Sequence, residues 1–220
     1  MMDLSYFLQE LWNARSAIYH GVIVTISISA LAIILGTMLG VIVGLALEYG
    51  TLPIKFMFRV YIDIIRGTPV FVLILAMFYV PSAVGLNLDA FQAGVVALTI
   101  FCSSHIGEIV RGALGAIPVG QTEAAKAIGL TFFKTFIYVL LPQALRQILP
   151  TWVNTAAEMV KASTLLSIVG VLELMLTTQQ IISRNFMNME FYLFAGFIYF
   201  CINFGIEQLG RYVERKVTIS

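Results

Sequence analysis

Apolar residues fill long unbroken runs of this chain, and the charges fall between them. Residues 22–47 carry no charge, and neither do residues 67–88. A third run, 90–104, is shorter and can extend past His105 toward Ala116. A fourth, 147–172, is interrupted only by Glu158 and Lys161, and a fifth, 191–206, can extend into Leu209. A helix needs about 20 apolar residues to cross a bilayer. The pattern therefore predicts an all-α membrane protein with five transmembrane helices. Ahead of the first span, Leu4, Phe7, Leu8, Leu11 and Trp12 recur at helical spacing, which predicts an amphipathic helix lying on the membrane surface. The predicted divisions are an N-terminal segment 1–19, a membrane domain 20–212 and a tail 213–220.

Composition supports the membrane reading. Hydrophobic residues make up 60% of the chain and charged residues 11%, against about 25% charged in soluble domains. So little polar surface would not coat a soluble domain of this size. The net charge of +1 offers no electrostatic footprint for nucleic acid. Cys102 and Cys201 both lie in apolar runs and read as packing residues. Met1-Met2-Asp3 lacks the basic start of a signal peptide, so none is expected.

Lys and Arg set the orientation. Segments 48–66, 105–146 and 207–220 hold Lys55, Arg59, Arg66, Arg111, Lys126, Lys134, Arg146, Arg211, Arg215 and Lys216. The opposite loops hold only Arg15 and Arg184. The basic side is expected to be cytoplasmic, which puts the N-terminus outside and the C-terminus inside.

The largest cytoplasmic connection contains EAAKAIGLTFFKTFIYVLLP, residues 123–142. Thr122 can cap a short helix, with Glu123 favourable near its positive end. Gly129 can take the left-handed conformation that ends it. Thr131 can cap a second helix, and Pro142 should bend or end that one. Ala124 and Ala125 keep one side slim enough for another protein to approach. An ordinary amphipathic loop helix fits the same residues.

Glu123-Ala124-Ala125, then Gly129, then Val139-Leu140-Leu141-Pro142 resembles the EAA loop of ABC importer permeases, with Val139 in place of the usual Ile. Further elements resemble the histidine/glutamine-type branch for polar amino acids. These are Arg66-Gly67-Thr68-Pro69, Glu108-Ile109-Val110-Arg111-Gly112, Gly120-Gln121-x-Glu123, and Asn154 with Lys161 in span four. Together they cover roughly residues 20–212.

The resemblance implies a type I importer permease fold with a coupling helix in a loop at about 117–142. Glu123, Ala124, Ala125, Gly129 and Pro142 would then contact a cytoplasmic ATP-binding cassette ATPase dimer. It implies a second copy or a homologous permease, a periplasmic amino-acid-binding protein, and a bacterial inner membrane. The chain itself would hold no cofactor, with ATP and Mg in the partner ATPase.

Polar residues inside spans are the candidates for a substrate path: Arg66, Ser104, Asn154, Glu158, Lys161, Ser163 and Thr164. An ionisable group within the bilayer costs several kcal/mol unless paired or wetted. Positions 154, 158 and 161 share one helical face. They can form a self-neutralising pair at a subunit interface, or line a route for a zwitterionic amino acid. The related branch often has Lys-Asp-Thr-Ser where this chain has Lys161-Ala162-Ser163-Thr164. Two further features have two readings each. Gly36, Gly40 and Gly44 form overlapping GxxxG motifs, for close packing within the chain or between subunits. Glu108 and Arg111 suit an intrahelical ion pair, or a contact with Arg66 or the loop.

No nucleotide-binding motif, nucleophile–base pair or metal-ligand spacing is visible. A non-catalytic transport subunit is therefore expected. The rival readings are an intramembrane enzyme and a secondary ion-coupled carrier. Carriers often show inverted repeats and broken helices, which five spans and one docking loop fit poorly.

Overall fold

The computed structural model describes residues 4–218. Among them the regular structure is helical, with no strand. Helix α1 (Leu4–Tyr49) is followed by α2 (Leu52–Gly67), α3 (Val70–Ala83) and α4 (Ala90–Gly115). Two short helices, α5 (Val119–Ala127) and α6 (Phe132–Thr135), come next. A π-helical turn over Phe136–Leu140 leads into α7 (Leu141–Ala162). The helix then tightens to 3-10 geometry over Ser163–Val169, and α8 (Leu174–Asn185) and α9 (Asn188–Thr218) complete the chain.

Among the described residues three helices are long and apolar enough to cross a membrane: Ser5–Tyr49, Ala90–Gly115 and Asn188–Lys216. Two bent pairs bring the number to five if each counts as one span. The first pair is α2 with α3. The predicted span over 67–88 is shorter in the structure, because α3 has only 14 residues, about 21 Å of helix at 1.5 Å per residue. The break before it has a local cause. Pro69 pushes Thr68 out of helical geometry (φ −97°, ψ 130°), since the residue before proline is driven toward extended conformations. The second pair is Phe132–Val169 with Leu174–Asn185, and the break between its members begins at Gly170, in the left-handed region at φ 88°.

Two boundaries differ from the sequence reading. No separate surface helix precedes span one: α1 runs unbroken for 46 residues, about 69 Å, more than twice a hydrocarbon core of about 30 Å. Nothing in 4–20 breaks a helix, and the apolar stripe there finds a partner within the chain. Phe7 packs edge-on against Phe191 (5.4 Å between ring centroids) and Phe194 (6.4 Å). The predicted tail from 213 is helical as far as Thr218. The parts of the terminal segments at residues 1–3 and 219–220 lie outside the described residues.

The chain forms two compact units. One comprises Met1–Ile33, Pro69–Thr99 and Glu158–Gly205. Its core joins Ile28 and Ala32 of α1, Ile74 of α3, Ala97 and Leu98 of α4, and Leu166 and Val169 after α7. A second cluster gathers Ile18, Leu174, Ile182, Phe191 and Ala195. The other unit comprises Ile34–Thr68, Ile100–Ala157 and Ile206–Ser220. In it Val43, Leu47 and Ile62 pack with Phe58 and Tyr61. Trp152 Nε1 donates to Thr37 Oγ1 at 2.9 Å, and Tyr61 Oη meets Ser103 Oγ at 2.6 Å.

The overlapping GxxxG motifs serve packing inside this second unit. A Cβ on Gly40 would stand 2.6 Å from Ile106 Cβ, and one on Gly44 2.6 Å from Val110 Cβ. Real Cβ atoms do not approach that closely, so α1 lies against α4 only because these positions lack side chains.

Candidate functional site

The first candidate surface is the segment α5–α6. Helix α5 starts at Val119, behind Pro118, so Thr122 lies inside it and does not cap it. Pro at this place supplies a fixed φ and needs no N–H, which starts the helix three residues ahead of the predicted cap. Glu123 is thus the fifth residue of the helix rather than part of its first turn.

The C-terminal end follows the sequence reading. Gly129 has φ 82°. Leu130 N donates to Ala125 O at 3.0 Å and Gly129 N to Lys126 O at 2.9 Å. These two bonds form the Schellman closure that a left-handed residue permits. Thr131 caps α6, its side chain accepting from Lys134 N.

Pro142 does not end the helix. It lacks the N–H that would bond one turn back, and the backbone widens into the π-helical turn at Phe136–Leu140 just before it. Such bulges absorb a lost i→i−4 bond without breaking the helix.

Burial divides the residues of this segment. Glu123, Ala124, Gly129 and Pro142 are exposed, while Ala125 is buried at 3%. Ala125 therefore packs inside the chain, and Ala124 faces outward. Gln143 Nε2 donates to Gln121 Oε1 at 3.3 Å and to Val139 O at 2.8 Å, tying α5 to α7.

The second candidate surface is one face of α7. Between Gln147 and Ala162 the exposed positions are Gln147, Thr151, Asn154, Glu158 and Lys161. Their spacing of four, three, four and three residues makes one continuous stripe. All five are polar. Exposed positions elsewhere are different in kind. On α9 they include Leu193, Phe197, Phe200 and Phe204, and on α1 Ile34, Leu35, Met38 and Ile42. Those faces suit lipid tails. The α7 stripe does not, because polar groups in hydrocarbon are costly.

Glu158 and Lys161 form no ion pair with each other or with any other described residue. Ser163 and Ser104 do not join the stripe: both are buried, donating to Val160 O and Phe101 O of their own helices. Thr164 donates to Lys161 O at 2.7 Å and is half-buried. Arg66 is exposed at the end of α2.

Glu108 satisfies both neighbours at once. It accepts from Arg111 Nε at 3.1 Å within α4, and from Arg59 of α2 at 3.3 Å. The intrahelical pair is present, and the added contact is Arg59.

Glu173 escaped the sequence reading. It is fully buried and caps α8, accepting from Met175 N at 2.9 Å and Leu176 N at 2.8 Å. Tyr199 adds a third donor. The one available signal is a lone carboxylate closing an apolar run directly after Gly170. No group of three or more His, Cys, Asp or Glu residues suited to a metal ion occurs among the described residues.

Residues 36–219 match the family described as binding-protein-dependent transport system inner membrane component. The chain is 34% identical over 210 residues to the L-cystine transport system permease protein of Bacillus subtilis, covering 95% of this chain and 88% of that one. It is 34% identical over 211 residues to the glutamine transport system permease protein of Escherichia coli K12, covering 95% and 96%. Among solved structures, an amino acid ABC transporter crystallised with histidines superposes with a TM-score of 0.88 at 33% identity, over 96% of this chain and 98% of that one.

Proposed function

This chain belongs to the binding-protein-dependent transport system inner membrane components, and we propose that it is the permease subunit of an ATP-driven amino-acid importer. The relatives it matches along nearly its whole length include cystine and glutamine permeases. The observation that carries the reading is the α7 stripe. Five exposed polar positions in one stripe along α7 call for water or protein opposite them. One such stripe encloses little, so a second copy or a homologous permease completes the path. A zwitterionic solute offers an ammonium to Glu158 and a carboxylate to Lys161, with Asn154 one turn away.

The exposed part of α5 is the surface that a cytoplasmic ATPase dimer would meet. Ala124 leaves the approach slim, and the Schellman closure at Gly129 fixes the end of the helix. ATP and Mg belong to that partner. Closure of the two ATPases brings the coupling helices together and rocks the membrane helices from inward-open to outward-open. A binding protein delivers the solute on the outer side of the bacterial inner membrane. The basic loops favour an external N-terminus and a cytoplasmic C-terminus.

The test is reconstitution of the chain with its ATPase and binding protein in vesicles. Uptake of labelled L-glutamine, L-cystine or L-histidine should require ATP in the lumen. Uptake driven by an ion gradient without ATP would replace this reading with an ion-coupled carrier. Topology is checked separately. A reporter after Ser220 should read cytoplasmic, and one near Asn87 should read external.

A further inference from the structure

Behind the α5–α6 segment lies a cavity that the transport reading does not use. Its volume is about 230 Å³, room for roughly seven waters at about 30 Å³ each or for one small amino acid. It is bounded by the C-terminal end of α1, the end of α4 and the α5–α6 segment, all within one compact unit. Glu48 and Lys126 both line it, and no ion pair joins them among the described residues. Thr122 adds a hydroxyl. Thr135 also lines it, buried at 2%, with its Oγ1 lacking any hydrogen-bond partner. A buried hydroxyl without a partner is unfavourable, and most such groups find one. Tyr49 packs edge-on against Phe132 at 5.4 Å and supplies an apolar wall.

The chemistry of the lining selects the ligand. A simple anion would suit Lys126 and the two hydroxyls but would meet the Glu48 carboxylate. A metal ion would find a single carboxylate and a repelling ammonium. A ligand carrying both charges satisfies both groups. We propose that this cavity binds a free zwitterionic amino acid, its ammonium on Glu48 and its carboxylate on Lys126 and the Thr135 hydroxyl. The ligand touches both α1 and the α5–α6 segment, so it holds the segment in one arrangement. Accumulated product on that side therefore slows further import. The regulatory half rests on the transport reading; the binding half does not.

Two measurements keep them apart. The first is protection of a cysteine introduced at the cavity. Gly115→Cys, in a Cys201→Ser background, is labelled with a maleimide in the permease–ATPase complex, with and without L-glutamine, L-histidine, L-arginine or L-cystine. At least one of the four should slow labelling about fivefold or more, the low end of ordinary coupling. Glu48→Gln or Thr135→Val, each nearly isosteric, should abolish the protection. The second measurement is initial uptake into vesicles preloaded with ATP and the protecting amino acid. Preloading should slow uptake about fivefold in the unmodified chain and leave the Glu48→Gln and Thr135→Val chains unslowed.

Protection by none of the four amino acids overturns the proposal. So does equal protection in the two variants, or labelling blocked by the ATPase alone. Protection without slowed uptake overturns the regulatory half. Protection in a complex that imports nothing supports the binding half and counts against the transport reading instead.

Discussion

Tyr199 Oη donates to Glu173 Oε2 at 2.5 Å, so a phenol on α9 closes the carboxylate that caps α8. Both backbone donors at the start of α8 reach the same carboxylate, and Leu174 N donates to Thr25 Oγ1 of α1 at 3.1 Å. Three helices of one unit thus meet at a single buried polar point. A buried hydrogen bond contributes about 0.5–1.5 kcal/mol net, and up to about 3 kcal/mol when one partner is charged, so Tyr199→Phe should cost within that range. Glu173→Ala should cost more. It removes the cap and leaves the phenol and two backbone N–H groups unpaired. Thermal inactivation of the detergent-solubilised chain orders the two variants. A greater loss in Tyr199→Phe would mean that the phenol is held by something other than Glu173.

The two alanines of the short helix α5 should behave differently. Ala125 is buried and Ala124 exposed. Ala125→Leu overpacks the chain itself, at a cost of about 1–3 kcal/mol, so its loss of transport would come with a loss of stability. Ala124→Leu should leave thermal stability unchanged and lower co-purification with the ATPase. If Ala124→Leu retains full ATPase association and coupled uptake, the exposed face of α5 is not the docking surface.

Gly129 offers an independent check on the same helix. Its φ of 82° disfavours any L side chain by about 1–2 kcal/mol, and a β-branched one most. Nothing stands within 4 Å of a Cβ there, so the penalty lies in the backbone alone. Gly129→Val should impair coupled ATP hydrolysis, while Gly129→Asn, which tolerates this conformation better, should impair it less. Equal loss in both variants would point to the absence of a side chain, not the backbone, as the requirement.

Much of this was legible because membrane physics is coarse. Long apolar runs, the fourth broken only by Glu158 and Lys161, marked α1, α4, α7 and α9, and turn chemistry marked Gly129 and Thr131. What failed depended on neighbours remote in sequence. Phe7 and Leu11 read as a surface stripe until Phe191 and Phe194 were in place against them. Thr122 is a good capping residue, but Pro118 starts the helix earlier. Pro142 should have stopped a helix, and the preceding π-helical turn absorbed it instead. At the candidate path, helical spacing found the stripe of Asn154, Glu158 and Lys161. Polarity within apolar runs also enlisted Ser104 and Ser163, whose hydroxyls are turned to carbonyls of their own helices. Glu173 was missed because its donors are backbone groups that exist only once α8 forms.

The contact of α1 with α4 should be intolerant of a single methyl group. A Cβ on Gly44 would stand 2.6 Å from Val110 Cβ and 2.7 Å from Gly107 O. One neighbour is backbone and cannot rotate away. Gly44→Ala should therefore destabilise the chain by about 1–3 kcal/mol. Gly196→Ala, on a face of α9 where nothing lies within 4 Å, should be neutral. Both can be read from melting curves of the solubilised chain. A neutral Gly44→Ala would mean that α1 and α4 are not this close.

The polar stripe on α7 separates two roles for Glu158 and Lys161. They form no ion pair among the described residues, and exposed positions usually change stability by no more than about 0.5 kcal/mol when substituted. Glu158→Gln and Lys161→Met should thus leave the melting temperature of the chain nearly unchanged. If the two line the path, each should lower uptake in reconstituted vesicles, and the double variant should be no better than the worse single one. If instead they pair across a subunit interface, each single change strands a charge, which is strongly unfavourable. The double change should then restore both assembly and uptake. Co-purification of the two permease subunits follows assembly, and labelled amino acid follows uptake. Full uptake by the double variant would remove both residues from the path and leave Gln147, Thr151 and Asn154 as the remaining polar stripe of α7.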